Sequence, residues 1–219
     1  MVRGFHVACL LVLLSAVAHS QTSPMPATVT FTLDFPSSQP DHYSVQVDSD
    51  GKARFESTGK TSSEAEQSDN FNYEFTISAA TREKIFNLAA KADYFQKDID
   101  SHRKNIAFTG KKTLAYKDAQ RGGESSYNYS PDAAVQELTS LFQGLSATLE
   151  FGHRLQYAQR YQKLALAQEL KAMEESARNS PPVEIQAIAP ILQQIIADPG
   201  VINVTRARAQ RLLERGGGR

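Results

Sequence analysis

Residues 71–95 constrain the fold more than any other stretch, because they set a strand, a helix cap and an amphipathic helix end to end. Phe71, Tyr73, Phe75 and Ile77 alternate with Asn72, Glu74 and Thr76, the period of a strand with one buried face. Ser78 follows as a helix N-cap, suited to accept one of the free N–H groups of the first turn. Glu83 comes early in the helix, where a negative charge suits the dipole. Ile85, Leu88, Ala89, Ala92 and Phe95 recur at helical spacing and make one apolar face. Each element has one apolar side and needs a partner, and the flanking strands supply it.

Those strands are legible before the unit. Val29, Phe31, Leu33 and Phe35 alternate with polar residues, and the run ends at Pro36 and the Ser37-Ser38-Gln39-Pro40 turn. Tyr43, Val45 and Val47 make the next apolar face. Asp48-Ser49-Asp50-Gly51 then reads as a type I turn with a glycine bulge. Closing it sets Val47 opposite Ala53 and Val45 opposite Phe55 on one face, with Gln46 opposite Arg54 on the other. The same residues could open a calcium loop. Gly51 comes too early for one, however, and Arg54 and Phe55 stand where ligands belong, so the turn reading prevails. Residues 57–70 are polar and read as a surface loop.

After the helix, 96–105 is charged and irregular. Residues 106–117 read as one strand bulged or turned at Gly110, and 124–129 as a return strand with Tyr127 and Tyr129 on one face. Ser130-Pro131 reads as N-cap and first helical residue. Val135, Leu138, Leu141, Phe142, Leu145 and Leu149 form the stripe of that helix, and Gly152 is the expected kink or break. The pattern stays helical over 153–178, with a narrower stripe of Tyr157, Tyr161, Leu164, Leu166, Leu170 and Met173. Ile185, Ile188, Leu192, Ile195 and Ile196 then make a dense face, with Pro190 forcing a kink or two short helices. Asp198-Pro199-Gly200 is a stop, and Asn203 is placed to cap a last helix carrying Val204, Ala207, Leu212 and Leu213.

The pattern predicts an α+β fold: an antiparallel sheet of about five or six strands, with the Ser78 and Pro131 helices on one face and a helical C-terminal extension. The organisation reads as signal peptide 1–20, flexible leader 21–27, α+β domain 28–152 and helical extension 153–219. The extension is expected to pack as a kinked hairpin on the 153–178 helix. Removal of everything after Arg178 is expected to leave a folded domain.

The first twenty residues carry the three parts of a secretory signal: Arg3, an apolar run over 7–17, and small residues at Ala18 and Ser20. Cleavage is expected between Ser20 and Gln21, giving export to the periplasm or beyond. The apolar run is too short to span a bilayer, so no transmembrane segment is expected after cleavage. Cys9, the single cysteine, lies within that run. The mature chain therefore offers no disulfide, thiol nucleophile or thiolate metal site. Lys+Arg 24 balances Asp+Glu 24, so no global field draws nucleic acid.

The remaining chemistry is sparse. His42, His102 and His153 lie at no metal-binding spacing, and there is no Walker loop, dinucleotide fingerprint or nucleophile elbow. Asp98, Asp100, His102 and Arg103 form the nearest approach to a charged constellation, in a hydrophilic loop that reads as solvated surface. Tyr116, Tyr127 and Tyr129 read as sheet packing in preference to an aromatic binding face. Asn128 and Asn203 stand in glycosylation sequons. Arg206, Arg208, Arg211, Arg215 and Arg219 read as cations at the end of a helix, where the dipole favours them, with an anionic partner as the other reading. No catalytic, cofactor-binding or metal-ligating residue is assigned, and no cofactor is expected.

The hairpin from Tyr43 through Asp48-Ser49-Asp50-Gly51 to Phe55 resembles the opening hairpin of small exported bacterial domains of unknown function. In some of those a cysteine pair precedes the hairpin, where this chain has Gln39-Pro40-Asp41. Pro190, Leu192, Ile195, Asp198, Val204, Arg206, Ala209 and Leu212 resemble a single HEAT-type helical repeat, which cannot form a solenoid alone. These resemblances carry no functional residues. The expectation is an exported non-catalytic binding or scaffold module, with a protein partner engaged through the helical extension. The alternative is an enzyme whose site is assembled from residues the sequence does not associate.

Overall fold

The computed structural model describes residues 26–36, 38–59 and 69–217. The signal segment, Cys9 and most of the leader lie outside the described residues. Among the described residues six strands form one antiparallel sheet: β1 (Thr28–Asp34), β2 (His42–Asp48), β3 (Lys52–Gly59), β4 (Asp69–Thr76), β5 (Lys111–Lys117) and β6 (Gly122–Tyr127). Their spatial order is β4-β3-β2-β1-β5-β6, so β4 and β6 are the edges. Among the described residues five α-helices accompany it: α1 (Ala79–Lys91), α2 (Ala133–Tyr161), α3 (Leu166–Asn179), α4 (Ala189–Ala197) and α5 (Asn203–Gly217). The architecture is α+β, with the helical part C-terminal.

The period-two pattern sorts the central strands. Val29, Phe31, Val45, Val47, Phe55 and Leu114 are fully buried, while Gln46, Arg54 and Glu56 of the alternate set face water. Phe142 of α2 stacks on Phe31 at 5.4 Å with planes 2° apart, which seats α2 on the middle of the sheet. The hairpin closes in the expected register, with Val47 opposite Ala53, Val45 opposite Phe55 and Gln46 opposite Arg54. Gly51 takes φ +95, a conformation that suits glycine. Ser78 caps α1 by accepting from Thr81 N–H at 3.3 Å, and Ile85, Leu88 and Ala89 are the buried face of that helix. Glu83 falls beyond the first turn.

Several local expectations are corrected. Residues 57–59 and 69–70 belong to β3 and β4, and the polar segment between them lies outside the described residues. β5 starts only at Lys111, because Gly110 at φ +94 turns the chain; Phe108 stays 58% exposed and leans edge-on against Phe35. β6 ends at Tyr127, so Tyr127 is buried while Tyr129 is not. Asp132, not Ser130, caps α2, since its carboxylate reaches the N–H groups of both Ala134 and Val135. α2 then runs unbroken through Gly144 and Gly152 to Tyr161, and the helical run breaks at Gln162 instead. The glycines serve packing. A Cβ at Gly144 would lie 2.7 Å from Val183, and one at Gly152 would lie 2.5 Å from Ile188. In α5 the buried positions are Thr205, Ala209 and Leu212, while Val204 is 55% exposed. Two short helices flank Pro190 as expected: a 3-10 turn at Ile185–Ile188, then α4 with the proline in its first turn.

The segment leading into α4 is tied to the sheet side at four points. Val183 and Ile188 sit over the two glycines of α2. Tyr73 Oη donates to Ala187 O at 2.7 Å. The Glu184 carboxylate accepts from Ser78 N–H at 3.1 Å and from Ser78 Oγ at 2.6 Å, and it also takes the Thr81 hydroxyl. A carboxylate from more than a hundred residues away thus completes the cap of α1, where the helix dipole favours it. Ile185, Ile188, Leu192 and Ile195 are buried in consequence. α5 closes the layer by packing on α3 and α4.

Candidate functional site

Residues 93–102 build the most organised polar cluster. Asp93, Tyr94 and Phe95 all take left-handed φ, at 50, 54 and 61°, an arrangement that costs non-glycine residues of the order of 1 kcal/mol each. Complete burial of Phe95 holds it, as does Tyr94, whose ring lies between Tyr116 at 4.5 Å and the Arg121 guanidinium at 4.2 Å. The chain then runs along β6. Ile99 N–H donates to Ser125 Oγ, Ser101 N–H to Tyr129 O, and Asn128 N–H to Asp100 Oδ2 at 2.6 Å. Asp98 accepts from Asp100 N–H and pairs with His102 Nε2 at 2.6 Å.

The expected constellation is therefore real as geometry, and its geometry is that of a clasp. The hydrogen bond that His102 donates to Asp98, and then the charge of Asp98, raise the pKa of His102. Asp98 is lowered by that bond from His102 and by Asp100 N–H. Partial burial pushes Asp100 up, but the N–H groups of His102 and Asn128 outweigh it and leave its pKa lowered. Both carboxylates are occupied, Asp98 by the loop itself and Asp100 by His102 N–H of the loop and Asn128 N–H beside it. Arg103 stays exposed, and its backbone N–H donates to Ser101 Oγ of the clasp.

Sequence reading overlooked Lys112. It is 5% exposed on the core-facing side of β5, and its ammonium donates to Asn128 O and Thr109 Oγ1 at 2.9 Å, with Thr109 O and Gly110 O at 3.3 Å. Burial lowers its pKa, opposed by the charge of Asp100. A signal was present: Lys112 shares the parity of Leu114 and Tyr116. Its oxygens come from the loop that precedes β5 and the strand end beside it, so it locks the entry to β5.

The other groups are dispersed. His42 Nδ1 meets Asp34 Oδ1 at 2.6 Å at one end of the sheet. Tyr127 Oη shares a 2.5 Å hydrogen bond with Thr139, and burial pushes its pKa up to about 12. Tyr116 Oη donates to Asp118, which the N–H of Gln120 and then other donors hold at about 2. Asp118 and Arg121 thereby close the β5–β6 turn. Asp50 accepts from its own neighbour, Lys52, within the hairpin turn. No group of three or more His, Cys, Asp or Glu side chains suits a metal among the described residues. Of the C-terminal arginines, Arg208 and Arg211 both clamp Glu174 of α3, at 3.0 and 2.9 Å. They face a carboxylate within the chain that sequence spacing does not bring near. Glu214 is engaged by Gln210.

Two of the surface hollows lie beside aromatic or exposed apolar side chains. A cleft of about 80 Å³ lies between β4, α2 and α4, lined by Phe71, Tyr73, Gly152, His153, Ile188 and Ile191 among others. His153 stacks flat on Phe71, centroids 3.9 Å apart and planes at 4°. The cleft is well below the 300–1,000 Å³ usual for a small-molecule site. The second feature is a corner of the helical layer where Lys163 meets Asp198 at 2.7 Å. Tyr161 at 62% exposure, Leu164 at 95%, Ile202 at 63% and Val204 at 55% bracket that ion pair in sequence. A shallow groove lined by Tyr157, Arg160, Tyr161 and Gln194 adjoins it.

No family model matches the chain, and no curated protein aligns with it significantly. No helix among the described residues is long and apolar enough to cross a membrane.

Proposed function

We propose that this protein is an exported, non-catalytic binding module that engages a protein partner through its helical C-terminal part. The observation that carries the reading is that Tyr161 and Leu164, close to Lys163 in sequence, and Ile202 and Val204, shortly after Asp198, are all exposed on segments that the Lys163–Asp198 ion pair joins. Large apolar side chains left exposed on two joined segments suit a protein interface, where tyrosines and a polar rim are common. The clasp at 93–102 and the lysine at the entry to β5 spend their polar groups within the fold, which supports binding over catalysis. The signal pattern at residues 1–20 supports export.

The test is site-specific crosslinking in the exported fraction. A photoreactive residue at Leu164 is expected to trap one discrete protein adduct, and the same probe at Glu56 on the open sheet face is expected to trap none. Tyr161→Ser introduced beside the probe should weaken the adduct. Equal labelling from positions 164 and 56 would overturn the reading. N-terminal analysis of the exported chain should find Gln21 first; a chain still beginning at Met1 would remove export from the proposal.

A further inference from the structure

We infer that two copies of this chain associate by pairing their β4 edges, antiparallel about a two-fold axis at Tyr73. The inference begins with backbone parity. Ile77 N–H donates to Gly51 O, which extends the β3–β4 ladder by one pair. In an antiparallel ladder, hydrogen-bonded pairs alternate with non-bonded ones. The odd-numbered residues of β4 therefore turn their N–H and C=O toward β3, and Asn70, Asn72, Glu74 and Thr76 turn theirs outward. Among the described residues no backbone group meets that outer edge.

Edge strands ordinarily carry a device against such pairing: a proline, a lysine, a bulge or a covering segment. β4 has the sequence Asp69-Asn70-Phe71-Asn72-Tyr73-Glu74-Phe75-Thr76, with neither proline nor lysine, and it pairs with β3 over eight residues without a bulge. The opposite edge differs at one end, where Asp100 takes Asn128 N–H and Ser101 N–H donates to Tyr129 O just past β6.

The occupant follows from the symmetry of the strand. Polar and aromatic residues alternate about Tyr73 almost as a palindrome. A two-fold axis there sets Phe71 opposite Phe75 of the second copy, Asn72 opposite Glu74, and Asn70 opposite Thr76. Every residue then meets one from the same face, as an antiparallel ladder requires. Shifting the axis by one residue toward Glu74 would set that carboxylate against itself. Shifting it toward Asn72 would set Asp69 against Phe75. The aromatic row itself is half-exposed, with Phe71, Tyr73 and Phe75 stacked in sequence at 5.9 and 6.1 Å. A second row alongside would cover its open flank through cross-strand aromatic pairs. One strand pair with its flanking rings makes a small interface, so the dimer is weak and depends on concentration.

Sedimentation equilibrium of the purified chain over rising concentration is the test, with a monomer–dimer equilibrium expected. Asn72→Pro removes an outward N–H and no bond to β3, so it should leave the circular dichroism unchanged and abolish the dimer. Asn72→Lys sets a cation opposite Glu74 of the second copy at two symmetric places and should tighten the dimer about fivefold. A chain monomeric at every concentration overturns the proposal. A dimer unaffected by Asn72→Pro in a folded variant does the same, and weakening by Asn72→Lys overturns the register. If the proline variant does not fold, the wild-type equilibrium and the lysine variant still decide.

Discussion

The two edges of the sheet are finished in different ways. The segment that immediately follows α1 lies over β6 and meets the backbone just past its end: left-handed turns at residues 93–95, then Asp100, whose carboxylate takes Asn128 N–H, and Ser101, whose N–H donates to Tyr129 O. β4 has its apolar face covered by a segment more than a hundred residues away, while its backbone edge has no partner among the described residues. The contrast teaches that covering a face and capping an edge are separate tasks. A helix or turn laid under a strand removes its side chains from water, but only an in-plane neighbour meets its N–H and C=O groups.

The distant cover admits the heaviest blow. Cutting the chain after Arg178 removes Ile185, Ile188, Leu192 and Ile195 and uncovers Phe71, Tyr73, Gly144 and Gly152. Each buried side chain of this kind contributes about 1.5–3 kcal/mol, and their sum rivals the whole stability of a domain, about 5–15 kcal/mol. Sequence leads to the expectation of a folded remainder. The contacts lead to the expectation that the remainder loses cooperative unfolding, and urea melts monitored by fluorescence and circular dichroism will distinguish the two.

At the β6 edge the largest effect comes from Gly123. A Cβ there would lie 2.2 Å from Tyr94 O and 3.0 Å from Gln96 N, both backbone atoms. Gly123→Val should cost about 3 kcal/mol, as overpacking against an unyielding neighbour does, and should loosen the 93–102 segment in hydrogen exchange while leaving β4 protected. Gly51→Val tests the hairpin between the edges. Its φ of +95 resists a β-branched side chain, and a loss of about 2 kcal/mol is expected. An unchanged melting temperature would show that the turn tolerates what its dihedral forbids.

Glu184→Gln should cost about 1 kcal/mol, because the carboxylate accepts at the start of α1 and ties the distant segment down. Hydrogen exchange should then rise at 78–81 and 183–188 together; a rise at only one of them would show that the two ends are not coupled through this group. The smallest effect is at the clasp. His102 is exposed and its folded pKa is raised above its ordinary 6.5 by Asp98. The stabilisation from that pair is therefore complete below about pH 6.5 and is lost as pH rises through the folded value. It is lost at the acid end too, as pH falls through the lowered pKa of Asp98. An NMR titration of His102 should show a midpoint above that of the Asp98→Asn variant, and equal midpoints would show that the pair does not persist in solution.

How far the sequence reaches depends on the distance over which each feature is decided. The alternation in β1–β4, the Asp48–Gly51 turn, the Ser78 cap and the proline-divided entry to α4 are local. A few neighbouring residues and their intrinsic φ, ψ and solvation preferences determine them, and the α+β class follows from their order. Tertiary structure decided the rest. Gly152 reads as a helix breaker because propensity penalises it, yet α2 continues, since the missing Cβ makes room for Ile188. Tyr161 and Leu164 read as part of a packing stripe, but the chain turns at Gln162 and leaves them in water. Glu174 and Glu184 each take donors from a helix far away in sequence. Such partners are chosen by which surfaces meet when the apolar faces are buried. Local periodicity specifies that an apolar face exists, and only the packed chain decides which other face covers it.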